Sequence, residues 1–473
     1  MRRSATGGSG VTVLTAALAC LVVASTPLSA AAPLAPAAMS GRDVVRAAPW
    51  PLTAVQTAFY DMGLLPDGYP GRYVDGRLRA HPLYGVYLVR GFTTQLRRTG
   101  DPRSRAALRV VAHAAVDRMR PAGSGMAFWY DARSVTLPGM SSHGYSALTQ
   151  AYYAEALAEA GRLLRDPELV AAADACFRSL LVPVSRGGVL SPRDVGPVLE
   201  EEPVPVPSAI LNGWLSATVA VRGYARITGS ARAAALASAS AAEIARRLAR
   251  YDLPWVLGSA YSARTTVALR FAVPVGTRVG AVRLEIDGRL VPLRPGGPSG
   301  RSDTVRVLQC GRTVRGVVVT TCRKLVLDVP ATIAGRSTTT RLLLTLRDPQ
   351  GRAVAGTVER AAYRFVHMQG RSISGWRART ALDSVTRAGT VRLTFTSAEV
   401  RRALVPTGFK LIDRRLVNTY HNIHVGRLNE MSAAYLSLRP TLSEWAQRWS
   451  AYTCGWAEHP AFRLVPDAAL PRC

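Results

Sequence analysis

Acidic side chains are scarce in this chain. Only 31 aspartates and glutamates stand against 60 lysines and arginines, a formal charge of +29 over 473 residues. Lysine is scarcer still: Lys324 and Lys410 are the only two, so arginine carries the positive field. A field of that sign attracts polyanions, whether nucleic acid, acidic polysaccharide or an anionic envelope. Cysteine is sparse, six in all, and none has the paired spacing of a metal site. No zinc-finger spacing or aromatic RNA-binding motif is present, which removes the usual signatures of a nucleic-acid reader. No segment approaches about 20 uninterrupted apolar residues, the length a membrane-spanning helix needs.

What is present begins with a patterned N-terminus. Arg2 and Arg3 are followed by a polar stretch, an apolar run from Val11 to Ala24, then Pro27 and the small residues Ser29, Ala30, Ala31 and Ala32. That is the order of a secretory signal peptide. Residues 1–32 are therefore expected to be cleaved, 33–49 to form a flexible Ala/Pro-rich leader, and the protein to be secreted or extracytoplasmic. Export makes disulfides plausible. Cys310 and Cys322 flank a strand-like stretch and suit a local bridge; Cys454 and Cys473 suit a fastening of the C-terminus; Cys176 reads as a buried thiol.

From residue 50 to 264 apolar residues recur at three- and four-residue steps, with Gly, Asp and Pro at the ends of each run. Repeated helix pairs of this kind predict an α/α toroid, an incomplete α/α barrel, rather than a four-helix bundle. The pattern changes after Arg264. Short, β-branched, alternating segments such as TTVALRFAVPV, KLVLDVP and TRLLLTLRD predict an antiparallel, sandwich-like β domain over 265–405. Helical periodicity returns over 406–473, so the β domain reads as an insertion and the whole as an α+β multidomain chain.

Four stretches, in order, resemble the C-terminal helical domain of glucuronyl C5-epimerases: LVPVSRGGVL (181–190), EEEPVPVPSAILNGWL (200–215), YDLPWVLGSAYSAR (251–264) and YHNIHVGRLNEM (420–431) with WAQRWSAY downstream (445–452). The family pattern of the second stretch has Glu-Tyr before proline, where this chain has Glu201-Glu202. At SSHGYS (141–146) the family tends to an A-Q-G-H-like run, of which Gly144 survives. The β domain has no recognisable counterpart at this position.

The resemblance implies inversion at carbon 5 of a glucuronate within an acidic, uronate-containing polysaccharide. That chemistry removes a weakly acidic proton beside a carboxylate and returns one to the opposite face. It needs a cation to hold the carboxylate as it becomes enediolate-like and acid and base groups on both faces. A tyrosine can act as the base if a neighbouring cation lowers its phenol from about 10. The resemblance assigns Tyr261 and Tyr420 to family catalytic tyrosines, carries over Glu201, and puts Glu202 where the family has a catalytic tyrosine. It assigns Arg264 to the substrate carboxylate, which a guanidinium meets with two parallel hydrogen bonds. Asn212, His421 and His424 follow as substrate contacts; no cofactor and no metal are implied.

Residue type alone gives plainer readings. Tyr261 and Arg264 suit the entry to a strand, Glu200–Glu202 a solvated loop, and histidines at a helix start are usually structural hydrogen-bonders. Trp214, Trp255, Tyr145 and Tyr152 suit either a core or a sugar groove. The rival functions are a polysaccharide lyase, which forms the same carbanion but expels the substituent at carbon 4, and a non-catalytic polyanion- or cell-envelope-binding protein. A glycoside hydrolase needs two carboxylates flanking a bond about 5 Å or more apart, and adjacent Glu201 and Glu202 do not offer that arrangement.

Overall fold

The fold is described from a computed structural model, which covers residues 39–53, 60–130, 144–191, 196–296, 302–337, 339–366 and 370–471. The expected signal peptide, the first part of the leader, residues 141–143 and Cys473 lie outside the described residues. From Ser40 onward the chain forms one compact unit. Residues 39–49 depart from the expected flexible leader: Gly41–Ala47 is a helix, capped by the Ser40 hydroxyl and anchored by fully buried Val45.

Among the described residues, eight longer helices build the helical part: α1 Pro82–Thr99, α2 Pro102–Val116, α3 Ala147–Leu164, α4 Pro167–Ser179, α5 Leu211–Thr228, α6 Ala231–Tyr251, α7 Thr419–Ala434 and α8 Arg439–Tyr452. Their boundaries follow from local chemistry. Asp101 and Asp166 cap α2 and α4 by accepting backbone N–H groups of the first turn, each with proline at the first helical position. Gly100 and Gly229 end α1 and α5 in the left-handed conformation, which a glycine adopts without a Cβ clash.

Consecutive helices pack as hairpins, α1 with α2, α3 with α4, α5 with α6 and α7 with α8. Across hairpins, α1 touches α3, α3 touches α5 and α5 touches α7, so the odd-numbered helices form a front row backed by the even-numbered ones. Helices α3 and α5 are buried on nearly every side, as expected of elements covered front and back. Within α5–α6, Trp214 Nε1 donates to Ser240 Oγ at 2.8 Å, giving a fully buried indole its hydrogen bond.

Twelve strands follow: β1 Arg264–Ala272, β2 Arg278–Ile286, β3 Arg289–Pro295, β4 Thr304–Gln309, β5 Gly311–Val314, β6 Val317–Thr320, β7 Lys324–Thr332, β8 Thr339–Arg347, β9 Thr357–Val366, β10 Gly370–Ala381, β11 Thr386–Arg387 and β12 Thr390–Thr396. They hydrogen-bond in the order β10-β9-β1-β7-β4-β3-β2-β8-β12-β11, with β6 pairing to β2 and to β5. The result is one large curled sheet in a mixed α+β chain. Its two antiparallel ladders meet at a short parallel pairing of β3 with β4, Arg294 opposite Thr304. That pairing departs from a wholly antiparallel domain. Strand β12 alternates buried and exposed residues, so only one of its faces is covered, whereas β7 is buried from Leu325 onward on both faces.

The Cys310–Cys322 bridge forms as expected, and Cys176 is a free, buried thiol. The expected Cys454–Cys473 pairing falls partly outside the described residues. Among the described residues no helix is long and apolar enough to cross a membrane. Helices and sheet are joined where the site lies. Buried Arg247 and its neighbour Arg250 on α6 donate to the carbonyls of Ala334, Ile333 and Gly335 just after β7. The Ala263 N–H donates to Ser208 O, and the Thr332 hydroxyl to Pro207 O.

Candidate active site

Three consecutive glutamates do different things because the backbone turns them apart. Glu200 is structural. Its carboxylate accepts the Ala209 N–H at 3.0 Å and the Ser191 hydroxyl at 3.3 Å, closing the loop onto itself. Ala209 takes a positive φ of 40° at that closure. The loop is pinned further by the Ser208 hydroxyl on Glu202 O, by Tyr251 OH on Ala209 O, and by the Ser262 hydroxyl on Ser208 O.

Glu201 has one carboxylate oxygen without a partner. Its Oε2 is shielded from solvent and has no hydrogen bond among the described residues. Gly213 on α5 lies so close that a Cβ there would sit 2.0 Å from that oxygen, so glycine is what lets the carboxyl enter. Burial pushes the Glu201 carboxyl from its ordinary 4.5 to about 8, with the Glu202 charge adding to the push. Glu202 is raised to about 7 by burial, against the opposing pull of Arg264, whose Nη2 lies 3.6 Å from Glu202 Oε2. Arg264 also donates from Nη1 to Val206 O at 3.3 Å. At neutral pH the pair therefore shares about one proton beside one guanidinium.

Tyr261 and Tyr420 meet although 159 residues separate them in the numbering of the chain. Their ring centroids are 4.4 Å apart, tilted by 47°. Tyr261 sits on the turn before β1, where its carbonyl accepts the Leu211 N–H that starts α5. Tyr420 sits in the first turn of α7, which Asn418 caps by accepting the His421 N–H. Burial raises the Tyr261 phenol well above its ordinary value, helped by Glu201, Tyr420 and Glu202 and opposed by Arg264. Tyr420 is raised by burial and then by the same two glutamates. The expected lowering of a phenol by its cation is thus outweighed: both tyrosines are neutral phenols, suited to giving a proton rather than taking one.

Asn212, the second residue of α5, is buried and its Oδ1 has no hydrogen-bond partner among the described residues. It and the Glu201 oxygen are two unmet acceptors on neighbouring elements. His421 and His424 sit elsewhere. Both are fully buried and converge on the Ser259 hydroxyl, at 2.8 and 2.7 Å from their Nδ1 atoms. His421 Nδ1 also accepts the Ser259 N–H, so its Nε2 carries the hydrogen donated to Trp449 O. These histidines tie α7 to the 258–259 strand, and His421 also ties it to α8; His424 Nε2 is shielded with no hydrogen-bond partner among the described residues.

The sequence motifs concealed a second structural unit. Arg448 Nη2, Trp449 Nε1 and Tyr452 OH all donate to the Asp252 carboxylate, at 2.9, 3.2 and 2.7 Å. The R-W-x-x-Y and Y-D stretches are two halves of one clamp that holds α8 against the turn carrying Tyr261. Of the aromatics read as groove candidates, Trp214 and Tyr145 are core, Trp255 is exposed, and Tyr152 receives a hydrogen bond from Arg427. Among the described residues, the cluster with metal-ligand chemistry is His113, Asp166 and Glu168 on the back row. There the imidazole lies between the two carboxylates and Asp166 is already spent capping α4.

Residues 125–274 match the family model of the D-glucuronyl C5-epimerase C-terminus. The resemblance read from the sequence is borne out over this span. It contains Glu201, Glu202, Asn212, Tyr261 and Arg264, and it stops before α7 with Tyr420, His421 and His424. A comparison with curated proteins finds no match.

Proposed function

We propose that this protein is a secreted epimerase that inverts carbon 5 of glucuronate residues within an acidic polysaccharide. The observation carrying the reading is the meeting of Glu201, Glu202, Tyr261, Arg264 and Tyr420 from three separate stretches of chain. The family match supports epimerase-type chemistry. The two helix rows support an arc of an α/α toroid, with the two strand ladders as sandwich-like leaves inserted into it. Site and leaves sit side by side.

In this reading Arg264 exchanges its Glu202 contact for the substrate carboxylate. Glu202 is freed to take the carbon-5 proton, and the bonding pair moves into the carboxylate, making it enediolate-like. Arg264 and the neutral Glu201 carboxyl donate to the two oxygens as charge develops. Tyr261 gives its phenolic proton to the opposite face of carbon 5, and Tyr420 against it stabilises the phenolate left behind. Transfer of the proton from Glu202 to Tyr261, through Tyr420 or solvent, restores both groups. Nothing is consumed, so the reaction runs to equilibrium between glucuronate and iduronate.

Glu202 thus takes over the base role of the family tyrosine, and its value of about 7 suits that role near neutrality. The test is incubation with glucuronate-containing polysaccharides, following iduronate by nuclear magnetic resonance. Iduronate without chain cleavage supports the epimerase. Cleavage with an ultraviolet-absorbing unsaturated uronate makes the protein a lyase, and tight binding without either product makes it a polyanion-binding or envelope protein.

A further inference from the structure

A cavity of about 650 Å³ is lined by both the first and the last helix of the front row, α1 and α7. On one side Tyr87, Arg90, Thr94 and Arg98 line it from a single face of α1; on the other stand Ile423 and Arg427 of α7. Trp50 and Tyr60 complete the wall. The combination is aromatic rings, Tyr60 and Tyr87 tilted by 37° at 5.3 Å, together with guanidiniums. Aromatic faces stack on the apolar face of a sugar ring, and guanidiniums meet a carboxylate or sulfate.

The cavity and the site already described share helix α7. Tyr420, Ile423 and Arg427 fall on one face of α7, and seven residues at 1.5 Å rise place Arg427 about 10 Å along the axis from Tyr420, the span of about two linked pyranose rings. Tyr130 lies within electrostatic reach of Glu201 on one side and of Tyr87 on the other. Arg427 donates to Tyr152 OH at 3.1 Å and Ser216 Oγ at 3.2 Å and pairs with Glu430 at 2.5 Å, so a sugar acid there shares the guanidinium with that carboxylate. Arg90 stacks 4.4 Å over the Tyr152 ring and pairs with Glu155 at 3.2 Å. Arg98 is exposed at the rim, next to Arg97, which already pairs with Glu159.

We propose that the cavity lined by α1 and α7 is a second acidic-sugar subsite, binding a uronate of the same polymer about two residues from the reacting one. It rests on the proposed function for the identity of the polymer, but its binding can be read without turnover. Polymers with an acid at every second residue satisfy both sites at once; an isolated uronate satisfies only one.

The experiment is isothermal titration with β-linked oligoglucuronates of two and six sugars, comparing the unsubstituted protein with Arg98→Ala, Arg98→Glu and, as a charge control on exposed β5, Arg312→Glu. The expected result is a hexasaccharide affinity reduced about tenfold by Arg98→Glu and a few-fold by Arg98→Ala. Disaccharide affinity changes less than twofold, and Arg312→Glu leaves both unchanged. Equal losses from Arg98→Glu and Arg312→Glu, or equal losses for the two lengths, would overturn the subsite and leave general attraction by net charge. Hexasaccharide binding with the predicted pattern but no iduronate supports the subsite and removes the epimerase reading; no binding of either length removes both.

Discussion

Asp252 is buried, Glu201 is half-buried with one shielded carboxylate oxygen, and their surroundings are opposite. Asp252 receives three donors from α8, from an arginine, an indole and a phenol. Glu201 presents an oxygen with no hydrogen-bond partner among the described residues and is pushed up to about 8 by its burial. A buried carboxylate with its donors in place holds a fold together; one without them costs stability and persists only where something else requires it. The difference separates the scaffold of the cleft from its chemistry more sharply than conserved-looking motifs do.

Substitutions can break that comparison, and the largest expected effect is on activity. Glu202→Gln keeps the size of the side chain but removes the base, so turnover should fall roughly 10³-fold, at the middle of the range for losing a general base. Folding, followed by urea denaturation, should be intact. Next comes the clamp. Asp252→Ala strands three donors, of which Trp449 Nε1 is fully shielded, and should cost about 2 kcal/mol in unfolding free energy; a loss under about 1 kcal/mol would dissolve the distinction between the two carboxylates.

The third effect has the opposite sign. Glu201 has a native value of about 8, above its ordinary 4.5. The native state therefore keeps the proton that the unfolded chain releases. The stability tied to this group is fully present below about 4.5 and is lost as pH rises through about 8. Glu201→Gln cannot ionise, so it should be more stable than the parent at pH 8 in urea denaturation, with the gap closing toward pH 4.5. The smallest effect sharpens the clamp: Tyr452→Phe removes one partly exposed donor and should cost about 1 kcal/mol.

Much of this was legible in the sequence, and the failures have physical causes. The change from three- and four-residue spacing to alternation marks the start of the sheet at Arg264, because the two periodicities cannot coexist in one element. The large sheet's last strand ends at Thr396, where Thr396 with Glu399 forms a capping box that opens the helix Ser397–Arg402, and a separate hairpin, Phe409–Ile412 with Arg415–Asn418, precedes α7 in the span read as helical. The capping-box signature stood in the sequence. The parallel pairing of β3 with β4 did not, since alternation reports which face a residue takes and not which strand lies beside it. His421 and His424 were read through the resemblance as substrate contacts; their spacing on α7 puts both on Ser259, and His421 also on the Trp449 carbonyl, contacts that the sequence does not display. The role of R-W-x-x-Y was hidden for a different reason: its acceptor lies some two hundred residues upstream.

The central claim is that Glu202 takes the carbon-5 proton from one face and Tyr261 supplies one to the other. The most direct measurement is deuterium incorporation from heavy water into a glucuronate polysaccharide with the Tyr261→Phe variant, resolving retained from inverted carbon 5 by nuclear magnetic resonance. A carboxyl base exchanges its proton with solvent, so deuterium should enter carbon 5 of glucuronate with retention while iduronate is lost, and Glu202→Gln should abolish both. Iduronate formed at the normal rate by Tyr261→Phe, or deuterium entering with Glu202→Gln, would contradict it.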